Sequence, residues 1–198
     1  MRVVTFLLGV VLFLPAASMA QGPAGVGAGS GSGRFSLSQR EYQPWQISLG
    51  YQYNRDNLVG SPFNTDGANA SVVRFFGRWI GAEVQVGAGF GHTGATTNPP
   101  NIKAQSVLLG AGPRLALRNK TRYEPWAHVV VGLEHFRFSQ TAGVLGSNNA
   151  LAGAAGGGLD ILLDDHLAFR IEGDVLGSRF FSTNQRHFQA VSGLVLNF

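Results

Sequence analysis

Cysteine is absent from the 198 residues, which excludes a disulfide scaffold, thiolate metal sites and cysteine nucleophiles. Charge is scarce too: 13% of residues are Asp, Glu, Lys or Arg, about half the ~25% of soluble domains. The net charge of +4 rests on 13 Arg and only 2 Lys, scattered singly between apolar residues. Nucleic-acid grooves present clustered bases, so no nucleic-acid partner is expected. No apolar run reaches the ~20 residues that carry a helix across a bilayer. The G-x-S-x-G elbow and the Walker A sequence are missing. The stretch Gly89-Phe90-Gly91-His92-Thr93-Gly94 matches G-x-G-x-x-G, but Ala-Thr-Thr-Asn-Pro-Pro follows where a helix is required. Asn69-Ala70-Ser71 and Asn119-Lys120-Thr121 fit the glycosylation pattern without further support.

Glycine and phenylalanine are plentiful, at 28 and 14 residues. Enough apolar surface is present to offset ordering entropy, so the chain is not a disordered one. At roughly 100–200 residues per domain, one domain is expected. Residues 1–20 read as a signal peptide, with Arg2, an apolar run from Val3 to Leu14 broken by Pro15, and Ser18-Met19-Ala20 as a small-x-small cleavage site. With no Cys after it, lipoprotein anchoring is excluded. Residues 21–43 form a Gly-rich flexible leader, and residues 44–198 carry the folded domain.

From Trp45 onward the hydrophobic period is two, the mark of strands with chemically different faces. Trp45, Ile47, Leu49, Tyr51 and Tyr53 share one face and Gln46, Ser48, Gly50, Gln52 and Asn54 the other. Ala82 to Gly91, Ala168 to Val175 and His187 to Phe198 repeat the pattern, with weaker versions near Ala70–Gly77, Lys103–Ala116, Trp126–Phe138 and Ala150–Leu162. In the second segment, Val73 and Phe75 oppose Arg74, which the pattern places on the polar face. Connections near Arg55–Asn69, His92–Ile102, Ser139–Asn149 and Gly177–Arg186 are long; those near Gly77–Trp79, Leu117–Tyr123 and Leu163–His166 are short. An all-β, eight-stranded antiparallel up-and-down barrel separates long and short connections to opposite rims and leaves no edge strand.

The polar face is made of Gly, Gln, Ser and Asn with few charges, which suits the crowded interior of an eight-stranded barrel better than a solvated surface. The apolar face therefore points outward, as in a transmembrane barrel. Trp45, Trp79 and Trp126 near the short turns, and Tyr53, Phe90, Phe136 and Phe188 near the long connections, are predicted to form two membrane girdles.

These alternating strands, the terminal Phe198 with Leu196 and Leu194, and the stretches Gly112-Pro113-Arg114, Pro125-Trp126-Ala127-His128 and Phe169-Arg170-Ile171-Glu172-Gly173-Asp174 resemble the small OmpA-like outer-membrane β-barrel proteins of diderm bacteria. The resemblance covers residues 44–198. It implies an outer-membrane location with both termini periplasmic, contact with outer-membrane lipid, and recognition of Phe198 by the barrel-assembly machinery. Larger members carry a periplasmic peptidoglycan-binding domain after the barrel, and this chain stops at the last strand.

Arg74, Glu83, Arg114, His128, Glu134, Asp160, Arg170, Glu172 and Asp174 are the predicted inward set. Glu83, Arg114, Asp160 and Arg170 lie three or four residues from short turns and share one level. Mixed-sign charges there are expected to pair into a network that plugs the lumen, because an unpaired buried charge costs several kcal/mol. No cofactor is expected. None of His92, His128, His135, His166 and His187 has a recognised ligand spacing, so no metal site is read from sequence. The expected role is a monomeric structural or surface-interaction barrel with four long extracellular loops and an extracellular ligand of unknown kind. A narrow, porin-like pore is the alternative. A lipid-modifying outer-membrane enzyme is the third reading, and the His-x-Ser that such deacylases use does not occur.

Overall fold

The computed structural model describes residues 42–58, 61–93, 102–140, 143–180 and 183–198, with only the backbone for 57, 58, 61, 62, 93, 179, 180 and 183–185. The expected signal peptide and nearly all of the expected leader lie outside the described residues. Eight strands follow one another: β1 Trp45–Leu58, β2 Ser61–Phe75, β3 Ile80–Thr93, β4 Ile102–Ala116, β5 Tyr123–Gln140, β6 Gly143–Leu162, β7 Leu167–Phe180 and β8 Thr183–Asn197. Each pairs antiparallel with its successor and β1 pairs with β8, so the sheet closes on itself. At the seam, Trp45 and Phe198 exchange backbone hydrogen bonds of 3.0 Å in both directions.

Alternation along each strand sends successive side chains to opposite faces. Gln46, Ser48, Gln52, Asn54 and Asp56 are buried inside, while Leu49 is 65% exposed on the outside. The outward face is apolar nearly all round the barrel: Val84, Leu109, Val131, Leu133, Leu151 and Ile171 are exposed there. Burial is thus inverted relative to a soluble protein, where charged side chains are almost never buried and large apolar ones seldom line up outside.

Two features differ from the sequence pattern. The strands run further than the hydrophobic alternation: β1 and β2 stay paired to Leu58↔Ser61, β5 and β6 to Gln140↔Gly143, and β7 and β8 to Phe180↔Thr183. Three of the four expected long loops are therefore mostly paired hairpin. In β2 the register is the reverse of the one expected. Val73 and Phe75 point inward and pack with Ala116 and Trp126, and Val72, Arg74 and Phe76 point outward.

Candidate functional site: the charged lumen

The lumen is a stack of layers. Near the short turns, Arg118 lies over the Phe75 ring at 4.2 Å and its Nε is 4.0 Å from Glu124 Oε1. Gln46 Nε2 donates to Asn197 Oδ1 at 2.8 Å across the seam.

The densest layer comes next. Arg170 Nε and Nη2 donate to the two oxygens of Asp160, both at 2.8 Å, a bidentate pair. Arg114 Nη1 donates to Glu83 Oε1 at 3.1 Å, and its Nη2 lies 3.6 Å from Asp160 Oδ2. Trp126 supports both arginines: the Arg114 guanidinium sits 3.5 Å over its ring, that of Arg170 at 4.8 Å, and Nε1 donates to Asp160 Oδ1 at 3.0 Å. His128 continues the chain, with Nδ1 2.8 Å from Glu83 Oε2 and Nε2 3.1 Å from Asp174 Oδ1. On the other side Arg170 Nη1 reaches Ser71 Oγ at 3.5 Å, and Ser71 bonds Ser48 at 2.8 Å. One connected network thus touches every strand from β1 to β7.

Above it lies an apolar layer of Leu108, Val130, Ala152, Ala154 and Leu176. A second polar layer follows, in which His187 Nδ1 meets Asp56 Oδ1 at 3.1 Å, Ser178 Oγ meets His187 Nε2 at 3.1 Å, and Thr65 donates to Asp56 Oδ2 at 3.0 Å. Glu134 is buried at this end. Phe63, Ala104, Phe136 and Ala150 form the apolar layer beyond.

Of the predicted inward set, Glu83, Arg114, His128, Glu134, Asp160, Arg170, Glu172 and Asp174 are buried inside. Arg74 is not. It faces outward, with its guanidinium 5.1 Å over the Trp45 ring and 6.0 Å over Phe76, and Ala82 opposite it shares that face. The predicted girdles also need correction. Trp45, Tyr53, Trp79, Phe90 and Phe188 point outward, but Trp126 and Phe136 are buried in the lumen at 6% and 1% exposure. Both share parity with His128 and Glu134, so strand alternation settles their face. Phe76, Tyr51 and Tyr123 stand outside with the first group, and Phe198 is exposed. Sequence reasoning missed Asp56, Arg118 and Glu124, for which parity relative to Asn54, Arg114 and His128 was the available signal; His187, read on the polar face of the last strand but left out of the charged set, is buried inside.

No family model and no curated protein sequence matches this chain. Solved structures do. Neisserial surface protein A superposes with a TM-score of 0.65 at 10% identity, over 78% of this chain and 97% of that one. Ail, the attachment invasion locus protein of Yersinia pestis, solved with the heparin analogue sucrose octasulfate, gives 0.55 at 17% identity over 78% and 99%. The outer membrane protein OprG of Pseudomonas aeruginosa gives 0.50 at 10% over 80% and 97%. The fold is that of the small eight-stranded outer-membrane β-barrels.

Proposed function

We propose that the protein is an outer-membrane β-barrel with a closed lumen, acting as a structural or surface-interaction protein through the rim that carries the long hairpins. The observation that carries this reading is the inversion of burial: an apolar belt outside, and inside it ionic layers separated by apolar ones. A bilayer accepts such a belt, because a closed sheet leaves no edge strand with a row of unpaired backbone groups in lipid. The cluster of Leu108, Val130, Ala154 and Leu176 fills the β4–β7 side of the lumen with apolar side chains, and the buried amides of Gln52, Asn69, Gln85 and Gln189 occupy the inward face of the other strands. The signal peptide read in residues 1–20 supports export, and Phe198 supports recognition by the barrel-assembly machinery. No catalysis is assigned.

The interacting surface is basic. Arg55, Lys103, Arg137 and Arg186 point outward toward the long-hairpin rim. Asp66 is the one outward carboxylate among the described strand residues, and it accepts the Tyr51 hydroxyl proton in a hydrogen bond. Such a rim favours anionic surface partners.

Planar-bilayer conductance of the folded protein, read beside its heat-modifiable migration, tests the closed lumen. Wild type is expected to migrate as a folded barrel and to show no steady channels. Arg114→Ala leaves Glu83 with one fewer cation in a buried site and is expected to destabilise the barrel by about 3–5 kcal/mol and to open a conducting path. Large steady channels in wild type, unchanged in the variant, would replace this reading by the narrow pore.

A further inference from the structure

Acids and bases are sorted unequally between the two faces of the barrel. Among the described residues, seven carboxylates are buried in the lumen, from Asp56, Glu83, Glu124, Glu134, Asp160, Glu172 and Asp174, against the guanidinium groups of Arg114, Arg118 and Arg170 and the imidazoles of His128 and His187. Even with both imidazoles charged, the buried carboxylates outnumber the buried cations. Within the dense layer, Glu83, Asp160, Glu172 and Asp174 face only Arg114, Arg170 and His128. Buried charge without a partner is expensive, and it is met by a proton or a bound cation.

The excess has a definite location. His128, Glu172 and Asp174 are all buried, and one donor atom from each lies within 4.8 Å of the others. Glu172 Oε1 and Asp174 Oδ2 accept no hydrogen bond within the described residues, although the two side chains are only 5% and 1% exposed. Glu83 as a carboxylate only accepts, so His128 Nδ1 carries a hydrogen and donates it. Nε2 lies 3.1 Å from Asp174 Oδ1: an imidazolium donates a hydrogen there, and a neutral ring presents a lone pair that a cation beside both atoms would satisfy.

The backbone around this point is cut back to make room. His128 on β5 and Asp174 on β7 are separated by β6, and the residue paired with each of them is Gly156. A Cβ on Gly156 would lie 1.9 Å from Asp174 Oδ1 and 2.4 Å from the Gly173 carbonyl oxygen. Any other residue there would collide with the Asp174 carboxylate.

We propose that the lumen holds a divalent cation of the zinc class between His128 Nε2, Glu172 and Asp174. One imidazole with two carboxylates suits a borderline ion that takes nitrogen and oxygen donors. Glu83 is then a positioning residue: it takes the hydrogen from Nδ1 and fixes the ring with its other nitrogen toward the ion, the carboxylate–histidine–metal arrangement common at such sites. The metal also offsets part of the buried negative charge. The inference uses the lumen geometry alone and is independent of where the barrel resides and of what its rim binds.

The test is metal counting on the full untagged chain, folded into detergent micelles with zinc sulfate present and then dialysed, with folding checked by heat-modifiable migration. The expected result is about one retained zinc ion per folded wild-type chain, with a thermal transition raised by the metal. Glu172→Gln and Asp174→Asn preserve size and should weaken retention at least about tenfold, and Glu83→Gln should weaken it by about 10–100-fold without removing a ligand. Gly156→Ala should also lose the ion. A folded wild-type barrel that retains no zinc overturns the proposal, and so does retention that is equal in wild type and in whichever of Glu172→Gln and Asp174→Asn folds. The first outcome assigns a proton to the same place.

Discussion

Trp126 shows how a single side chain can serve packing and charge together. Its ring lies under two guanidinium groups, and cations over an aromatic face in a desolvated site gain about 2 kcal/mol or more. Its Nε1 satisfies an oxygen of Asp160 that Arg170 already holds. Trp126→Phe keeps a ring under Arg114 but removes the donor and part of the buried indole surface. The expected loss is about 1.5–3 kcal/mol, the worth of a hydrogen bond to a charged group, read as a lowered midpoint of denaturant unfolding. Neighbouring Gly158 is part of the same arrangement, since a Cβ there would meet the indole at 2.7 Å. Trp126 lies beside a short turn, where a girdle residue is expected, but its parity with His128 places it inside. Arg74 departs from its expected face for another reason: in β2 both faces carry large apolar residues, Val72 and Phe76 against Val73 and Phe75, so period two alone does not select a face. The charge proved the poorer guide, because a long Arg stem can lie along apolar surface while its head rests on an aromatic ring.

At the scale of the element, strand identity and order were legible and strand length was not. The segment read as Ala70–Gly77 is β2, Ser61–Phe75, and β5 reaches Gln140. Toward the long-hairpin rim the outward residues turn polar, with Asn64, Asp66, His135 and Arg137 exposed. There the alternation reverses, with Phe63 and Phe136 inside and polar residues outside, so the pattern read from the belt stops while the hydrogen-bonded ladder continues. The short turns behave differently, since their side chains specify them directly. In the β6–β7 turn, Asp164 accepts the backbone N–H of His166 at 2.8 Å and of Leu167 at 2.7 Å, which holds its carboxyl below the usual aspartate range. A group depressed in the folded state contributes stability above its unfolded pKa, about 3.9, and loses it as pH falls through the folded value. Asp164→Ala should therefore lower the unfolding temperature at neutral pH, with the gap to wild type narrowing as the medium is acidified below that range. A gap independent of pH would assign the effect to backbone preference instead.

At the scale of the whole molecule, the faces of the barrel define what each position tolerates. Val84 stands outside at 53% exposure, and its chain neighbour Gln85 is buried inside. Val84→Arg should cost about 2–4 kcal/mol of stability in lipid if it sits near the midplane. Gln85→Asn should be mild in the same refolding titration into lipid vesicles. Equal costs at the two sites would mean that the belt is not in contact with hydrocarbon. The general architecture was available from sequence because outward and inward residues differ in kind over most of the belt. The metal-ligand geometry was not, since His128, Glu172 and Asp174 meet across strands and no spacing along one segment reports that meeting.

The seam between β1 and β8 carries a kinetic consequence. The ionic network ties β1 through β7 to one another and leaves β8 out. The ten paired positions of the β1–β8 ladder run from Gln46↔Asn197 to Arg55↔Phe188. Side chains fasten that ladder at its two ends: Gln46 to Asn197 near the short turns, and Asp56 to His187 just past the other limit. In its middle, Gly50 faces Gly193 and no side-chain bond spans the pair. β8 is held by β7 along its length, and closure against β1 resembles a strip buttoned at top and bottom. An opening that starts at either rim must release one button before the ladder of paired backbone can peel.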